Sequence, residues 1–155
     1  MKTLRLSCAH ALFKFLIAQK TIIDGKKVPL FPGAFAIYGH GNVACLGQAM
    51  EEFQSDLPGY RGHHEQSMAL SGIGYARAMR RKQIFIATSS SGPGAMNMVT
   101  AAGVALSNRL PLLLLPGDVF ASRFPDPVLQ QVENFNSPVE NQNDAFKPVS
   151  RFFDR

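Results

Sequence analysis

The chain has 155 residues, 46% hydrophobic and 17% charged, which suits one globular domain with a proper core and excludes a disordered tract. Net charge is +5, but the one dense basic run (Arg77, Arg80, Arg81, Lys82) falls at a predicted helix end, where cations complement the carbonyl dipole; a nucleic-acid surface is not expected. No apolar run approaches the roughly 18 residues of a membrane span, and Lys14 interrupts the first apolar stretch, so neither a membrane segment nor a secretory peptide is expected.

Leu4 to Leu6 either begins a strand or leads into the fold. Ser7 is a good N-cap for a helix to about residue 19, with Ala9, Leu12, Phe13 and Leu16 forming one buried stripe. Asp24-Gly25-Lys26-Lys27 is a turn. Residues 33–38 form a compact apolar strand that stops at the loop Gly39-His40-Gly41-Asn42, and a helix covers 43–52. A loop over 54–59 and a short strand within 57–61 lead to a helix over 65–79. Its Ala69, Gly72, Gly74, Ala76 and Ala78 suggest that another backbone packs very close.

A strand over 83–87 is followed by the turn Thr88-Ser89-Ser90-Ser91-Gly92-Pro93-Gly94 and a second small-residue helix over 95–107. Residues 110–115 read as a fully buried strand closed by Pro116-Gly117-Asp118. Beyond Val119 the pattern weakens: Pro125-Asp126-Pro127 could open a short helix over 128–133, residues 137–144 form a polar loop, and 146–153 end in a strand or a helix start. Strands alternate with helices and the central strands are continuous apolar runs. The expectation is therefore an α/β fold, a three-layer α/β/α arrangement around a mainly parallel sheet. Ligands of such sheets sit outside the carboxyl ends of the strands. The 39–42 loop, the turn before Glu65 and the 88–94 turn should gather there.

Glu65 is the foremost chemical group. A first-turn acid is ordinarily explained by the helix dipole. Here His63 and His64 precede it and small apolar residues follow, a crowded place for a charge. Desolvation there would favour the protonated carboxyl, as acid–base work requires. Gly92-Pro93-Gly94 reads as a rigid packing turn rather than a phosphate cradle, because Pro93 removes an N–H donor. Of the four histidines, His40 is the best placed to face a ligand. Ser89 to Ser91 lack a G-x-S-x-G elbow and read as turn formers and a helix cap. Cys8 and Cys45, with no second ligand at metal spacing, read as reduced, mostly buried thiols of a cytoplasmic protein.

Three runs carry a family resemblance. They are Gly62-His63-His64-Glu65-Gln66, then Thr88 through Gly92-Pro93-Gly94-Ala95-Met96-Asn97, then Asn108-Arg109-Leu110-Pro111 through Pro116-Gly117-Asp118. In this order the chain resembles the pyrimidine-binding (PYR) domain of thiamine-diphosphate enzymes, in the acetolactate-synthase-like branch. Tyr38-Gly39-His40-Gly41-Asn42-Val43, the run from Pro116 to Arg123 and the ending Asp144 to Arg151 narrow the likeness to ring-opening hydrolases of inositol catabolism. The resemblance implies that Glu65 hydrogen-bonds N1′ of the aminopyrimidine and activates the cofactor. It implies that Gly39, His40, Gly41 and Asn42 face the cofactor ring and a cyclic dione substrate.

Family sites also need Mg2+ and a diphosphate-binding domain from another subunit of a homo-oligomer. The small-residue helices are candidates for that contact. The Gly-Asp-Gly…Asn metal signature is only approximated by Gly117-Asp118 and Asn143, because Val119 replaces its second glycine. No metal ligand is therefore assigned, and the diphosphate and Mg2+ site is not expected within this chain. Residues 1–155 are accordingly expected to be an N-terminal fragment, with 137–155 as an exit segment towards a middle domain and little turnover alone. The alternatives are an acetolactate-synthase-like lyase or carboligase domain and a non-catalytic PYR-like module. The Gly39-His40-Gly41 loop speaks against the synthase.

Overall fold

The computed structural model describes residues 3–118, 129–130, 132, 134, 136–137 and 140–155; residues 128, 131 and 133 of the short helix predicted over 128–133 lie outside them. Residues 4–6 form no regular element. Helix α1 (Cys8–Ala18) starts where the Ser7 side chain accepts a hydrogen bond from the His10 amide, and buries Ala9, Phe13 and Leu16 as its pattern predicts. Strands β1 (Lys20–Ile23) and β2 (Lys26–Pro29) then form an antiparallel hairpin. Its turn places Asp24 at φ 50° and Gly25 at φ 75°, a left-handed pair matched to strand twist. The turn was legible; the pairing was not, because four-residue strands are too short to show a period.

Strands β3 (Ala34–Ala36), β4 (Gly59–Arg61), β5 (Ile86–Ser89) and β6 (Leu113–Pro116) form a parallel sheet in the order β4-β3-β5-β6. The chain passes from β3 to β4 through α2 (Gly39–Asn42), a π-helical turn (Val43–Gly47) and α3 (Gln48–Glu52). Helix α4 (Glu65–Ala78) joins β4 to β5, and α5 (Pro93–Met96) and α6 (Val99–Asn108) join β5 to β6. A 3₁₀ helix spans Gln142–Val149. Alternate residues of β5 face opposite layers. Ile86 packs in a core with Phe13, Leu16, Met50 and Leu57, whereas Ala87 belongs to the core of Ala69, Ile73, Met98 and Ala101. The three-layer α/β/α expectation is met.

Several boundaries differ from the sequence reading. Residues 39–42 are helical rather than a loop, so the helix predicted from residue 43 begins at Gly39 and passes through a π turn. The strand predicted over 83–87 starts at Ile86. Ahead of it, Gln83 accepts from the Tyr75 hydroxyl at 2.8 Å and donates to the Pro29 carbonyl at 2.7 Å, and the Ile84 amide bonds Leu30. The helix predicted over 95–107 is two helices, with Asn97 and Met98 between them. Strand β6 begins at Leu113 because Leu110 is still tied by its amide to Ala105, beyond a left-handed cap at Arg109, and Pro111 has no N–H. It is half-buried rather than fully buried, since no described strand pairs with its outer edge.

Some of the small residues of α4 and α6 meet close neighbours within this chain, whereas Gly74 and Ala78 are exposed. A methyl at Gly72 would come within 2.9 Å of Leu112 and 3.3 Å of Phe85, and Ala69, Ala76, Ala101 and Ala105 are buried. Both cysteines are exposed, correcting the expectation of buried thiols: Cys8 begins α1 and Cys45 lies in the π turn.

The 3₁₀ helix takes up most of the predicted loop and decides between the strand and the helix offered for the segment after it, because Asn141 and Asp144 form a reciprocal capping box. Asn143 donates to the Gly117 carbonyl at 2.9 Å and Asn141 to Asp118 at 2.6 Å, tying this helix to the end of β6. Those bonds give Asn143 a structural task at the place where a metal signature was considered. Lys147, 3.1 Å from Asp144, is the main cause holding the Asp144 carboxyl below its usual 3.8; the Asn141 amide and Arg155 act in the same direction, against desolvation. A depressed folded value means the stabilisation is complete above the unfolded value and is lost as pH falls through the folded one. Lys147 is exposed and Asp144 partly so, and solvent screening should keep the effect below about 1 kcal/mol. Asp144→Asn should lower the melting temperature slightly at about pH 7 and converge with the parent once the pH has fallen well below the usual 3.8. Melts across that range that keep a constant gap would contradict this assignment.

Candidate functional site

The strand order reverses at β3: β4 lies on one side and β5 on the other. The segments leaving the carboxyl ends of β3 and β5 therefore flank the crevice where such sheets bind ligands. Gly39 opens α2 at φ 63°, a left-handed backbone, and a side-chain carbon there would collide with Cβ of Ser90. Asn42, one turn further, donates through Nδ2 to the Ser89 carbonyl at 2.9 Å. These two bonds of shape and hydrogen bonding lock the first segment onto the second. His40 and Gly41 are exposed, and the position a side chain would take at Gly41 is open.

Glu65 is the first residue of α4, and His64 is its N-cap, with Nδ1 accepting from the Ser67 amide at 3.4 Å. His63 is exposed. The carboxylate is half-buried at the positive end of the helix dipole. Its Oε2 accepts from Asn97 Nδ2 at 3.1 Å. Its Oε1 lies beside Gly94, where a methyl would approach it to 3.0 Å and collide with Ser90 Oγ. Gly92, at φ 70°, caps α5 without a side-chain bond and Pro93 follows, so the turn is a rigid packing device and the serines do not cap the helix. Ser89, Ser90 and Ser91 are instead buried in the middle of the site.

The three predicted segments thus converge, joined through Ser89 to Gly94. Asn97 is the participant that residue-by-residue reading did not single out. It stands 32 positions from Glu65, and only its place at the end of a Gly-Pro-Gly turn marked it.

The carboxylate at the first turn of α4 faces the Gly-Pro-Gly turn across the carboxyl rim of the parallel sheet, the place where α/β domains of this class bind ligands. The chain belongs to the family described as thiamine pyrophosphate enzyme, N-terminal TPP binding domain, whose match covers residues 33–137. It is 54% identical over 155 residues to a 3D-(3,5/4)-trihydroxycyclohexane-1,2-dione hydrolase of Geobacillus thermodenitrificans, covering 100% of this chain and 24% of that protein. Proteins of the same name from Clostridium tetani and Listeria monocytogenes are 52% identical over 155 residues and 50% over 154, again with 24% of each covered. The chain therefore spans about a quarter of the length of these relatives.

The residues present fit thiamine diphosphate. Among the described residues no hydrogen bond reaches Glu65 Oε1, so one oxygen is held and the other can accept from a protonated ring nitrogen. Gly39 and Gly94 keep the walls of the crevice free of side chains. Among the described residues no group of three His, Cys, Asp or Glu side chains is arranged to hold a metal, and no helix is long and apolar enough to cross a membrane.

Proposed function

We propose that the chain is the pyrimidine-binding part of a cytoplasmic thiamine-diphosphate-dependent hydrolase, which cleaves a ring C–C bond of a cyclic trihydroxy-1,2-dione in inositol catabolism. The observation that carries this reading is the 54% identity across all 155 residues to a hydrolase of that name. Bound thiamine diphosphate supplies a carbon nucleophile for addition to a carbonyl of the dione. Glu65 holds or releases the proton at N1′ of the aminopyrimidine. Gly39, His40, Gly41 and Asn42 line the face towards the ring and the substrate, with Asn42 anchored on Ser89 and His40 the polar group closest in sequence to that wall. The buried Ser90 lies beside Gly94, on the same side as Oε1 of the carboxylate.

In this reading the diphosphate and Mg2+ are held by a diphosphate-binding domain of another subunit, and the full-length protein is a homo-oligomer. The 155 residues alone are then an N-terminal fragment, in which 137–155 lead towards a middle domain. Alone they should bind the cofactor weakly and turn nothing over. The test is an assay of the full-length protein with the cyclic dione and, separately, with pyruvate, each with and without thiamine diphosphate and Mg2+. Ring cleavage that needs the cofactor, with no carboligation of pyruvate, is expected. Acetolactate formation without dione cleavage would overturn the reading, as would full turnover by the 155-residue chain.

A further inference from the structure

The two oxygens of Glu65 are not equivalent. Asn97 Nδ2 donates to Oε2 at 3.1 Å, whereas Oε1 lies against Gly94 and accepts from no described residue. An amide nitrogen has no lone pair to accept with, so this contact requires the Asn97 carboxamide to turn its NH2 towards the acid and its oxygen away. The backbone that carries Asn97 is restrained. The residue follows α5, its backbone amide bonds the Pro93 carbonyl at 3.0 Å, and Pro93 and the left-handed Gly92 restrict the backbone of that turn. The donor is therefore an exposed side chain whose backbone is carried by a restrained turn.

From this geometry we infer that Asn97 is a positioning residue for Glu65. It clamps Oε2 so that Oε1 alone is presented to the cofactor ring, fixing the torsion of the carboxylate about its terminal bond. Terminal sp³–sp² torsions of glutamate are broad and two-fold, so without a clamp either oxygen could face the ring and the carboxylate plane could rotate. The clamp also sets the register between the helix that carries the acid and the turn that follows β5. This role rests on the reading of Glu65 as the cofactor-activating acid.

The first test needs no cofactor. In the 155-residue chain, one side-chain amide proton of Asn97 should resonate as hydrogen-bonded, and Glu65→Ala should move it to the position of a solvent-exposed amide. An Asn97 amide indifferent to Glu65→Ala would overturn the clamp.

The second test uses the full-length protein and follows exchange of the thiamine-diphosphate C2 proton for deuterium, which reports activation without substrate. Losing a hydrogen bond to a charged group predicts that Asn97→Ala slows this exchange by about tenfold or more. Thiamine-diphosphate affinity should change by less than about threefold, because the clamp orients the acid rather than holding the cofactor. Asn97→Asp keeps the shape but replaces the donor with a like charge, and should slow exchange further. Asn97→Ser, which retains a shorter donor, should recover part of the rate. A purely structural role predicts the opposite pattern: a lower melting temperature in all three variants with unchanged exchange in whatever folds. Glu65→Gln separates the two levels of inference. If it slows exchange and Asn97→Ala does not, the clamp fails alone; if neither slows it, the reading of Glu65 fails as well.

Discussion

Glu65→Gln in the full-length protein is expected to lower cofactor-dependent ring cleavage by about a hundredfold or more, the usual scale for losing a positioned proton-transfer group. Glutamine preserves the volume, and its carbonyl oxygen can still accept from Asn97. The helix start should be little affected, because its side-chain cap is His64. What is removed is the ability to hold or release a proton at the oxygen beside Gly94. The melting temperature should therefore stay within a few degrees of the parent, changed chiefly by loss of a charge favourable to the helix dipole, about 0.3–1 kcal/mol. Steady-state assays at saturating thiamine diphosphate, paired with thermal melts, check both halves. Retained turnover would remove Glu65 from the chemistry, and a collapsed fold would show its role to be structural.

Gly39→Ala should be the most damaging small change on the opposite wall, with a loss of about 2–4 kcal/mol in stability. Two costs add. The backbone at φ 63° is left-handed, which disfavours a side chain, and the new carbon would run into Cβ of Ser90 with the Ser90 Cα only 3.0 Å away. Neither atom is the end of a flexible side chain, so relaxation means moving the turn after β5, and with it Gly94 and the face against Glu65. A fall in melting temperature of roughly 5–15 °C is expected for a domain of this size. Gly41→Ala is the internal control. It sits in the same helical turn, its side chain would meet nothing within 4 Å, and alanine there should be neutral or slightly stabilising. Equal effects of the two substitutions in thermal melts would show that the site does not depend on the close approach of Gly39 to Ser90.

The sequence was most legible where one short segment sets its own structure. Ser7 caps α1, and the stripe Ala9, Phe13 and Leu16 follows from a 3.6-residue period. Asp24-Gly25 turns the hairpin because its two positions tolerate a left-handed backbone. Glu65 stands at the start of α4, after the polar turn that ends β4. The alternation of apolar runs with helices was enough to imply a parallel sheet covered on both faces, and hence which turns meet at its carboxyl rim. The resemblance of three motifs in order pointed to the thiamine-diphosphate family, and the family match over 33–137 agrees.

What remained hidden depends on partners distant in the chain. Gly39 to Asn42 read as a loop because glycine is a poor helix former; Asn42 is held in a helical turn by a carbonyl 47 positions away. Strand β5 begins three residues later than its apolar run, because Gln83 and Ile84 are bound to the residues that follow the hairpin. The small residues of α4 suggested that another backbone packs close, and at Gly72 the close neighbours are the side chains of Leu112 and Phe85. By itself, then, the sequence determined the Ser7 cap, the hairpin turn and the start of the helix at Glu65, all of which follow from neighbours a few residues apart. Only the tertiary structure decided that Asn97 grips one oxygen of Glu65 and Gly94 adjoins the other, because that division requires two helices brought side by side by the sheet.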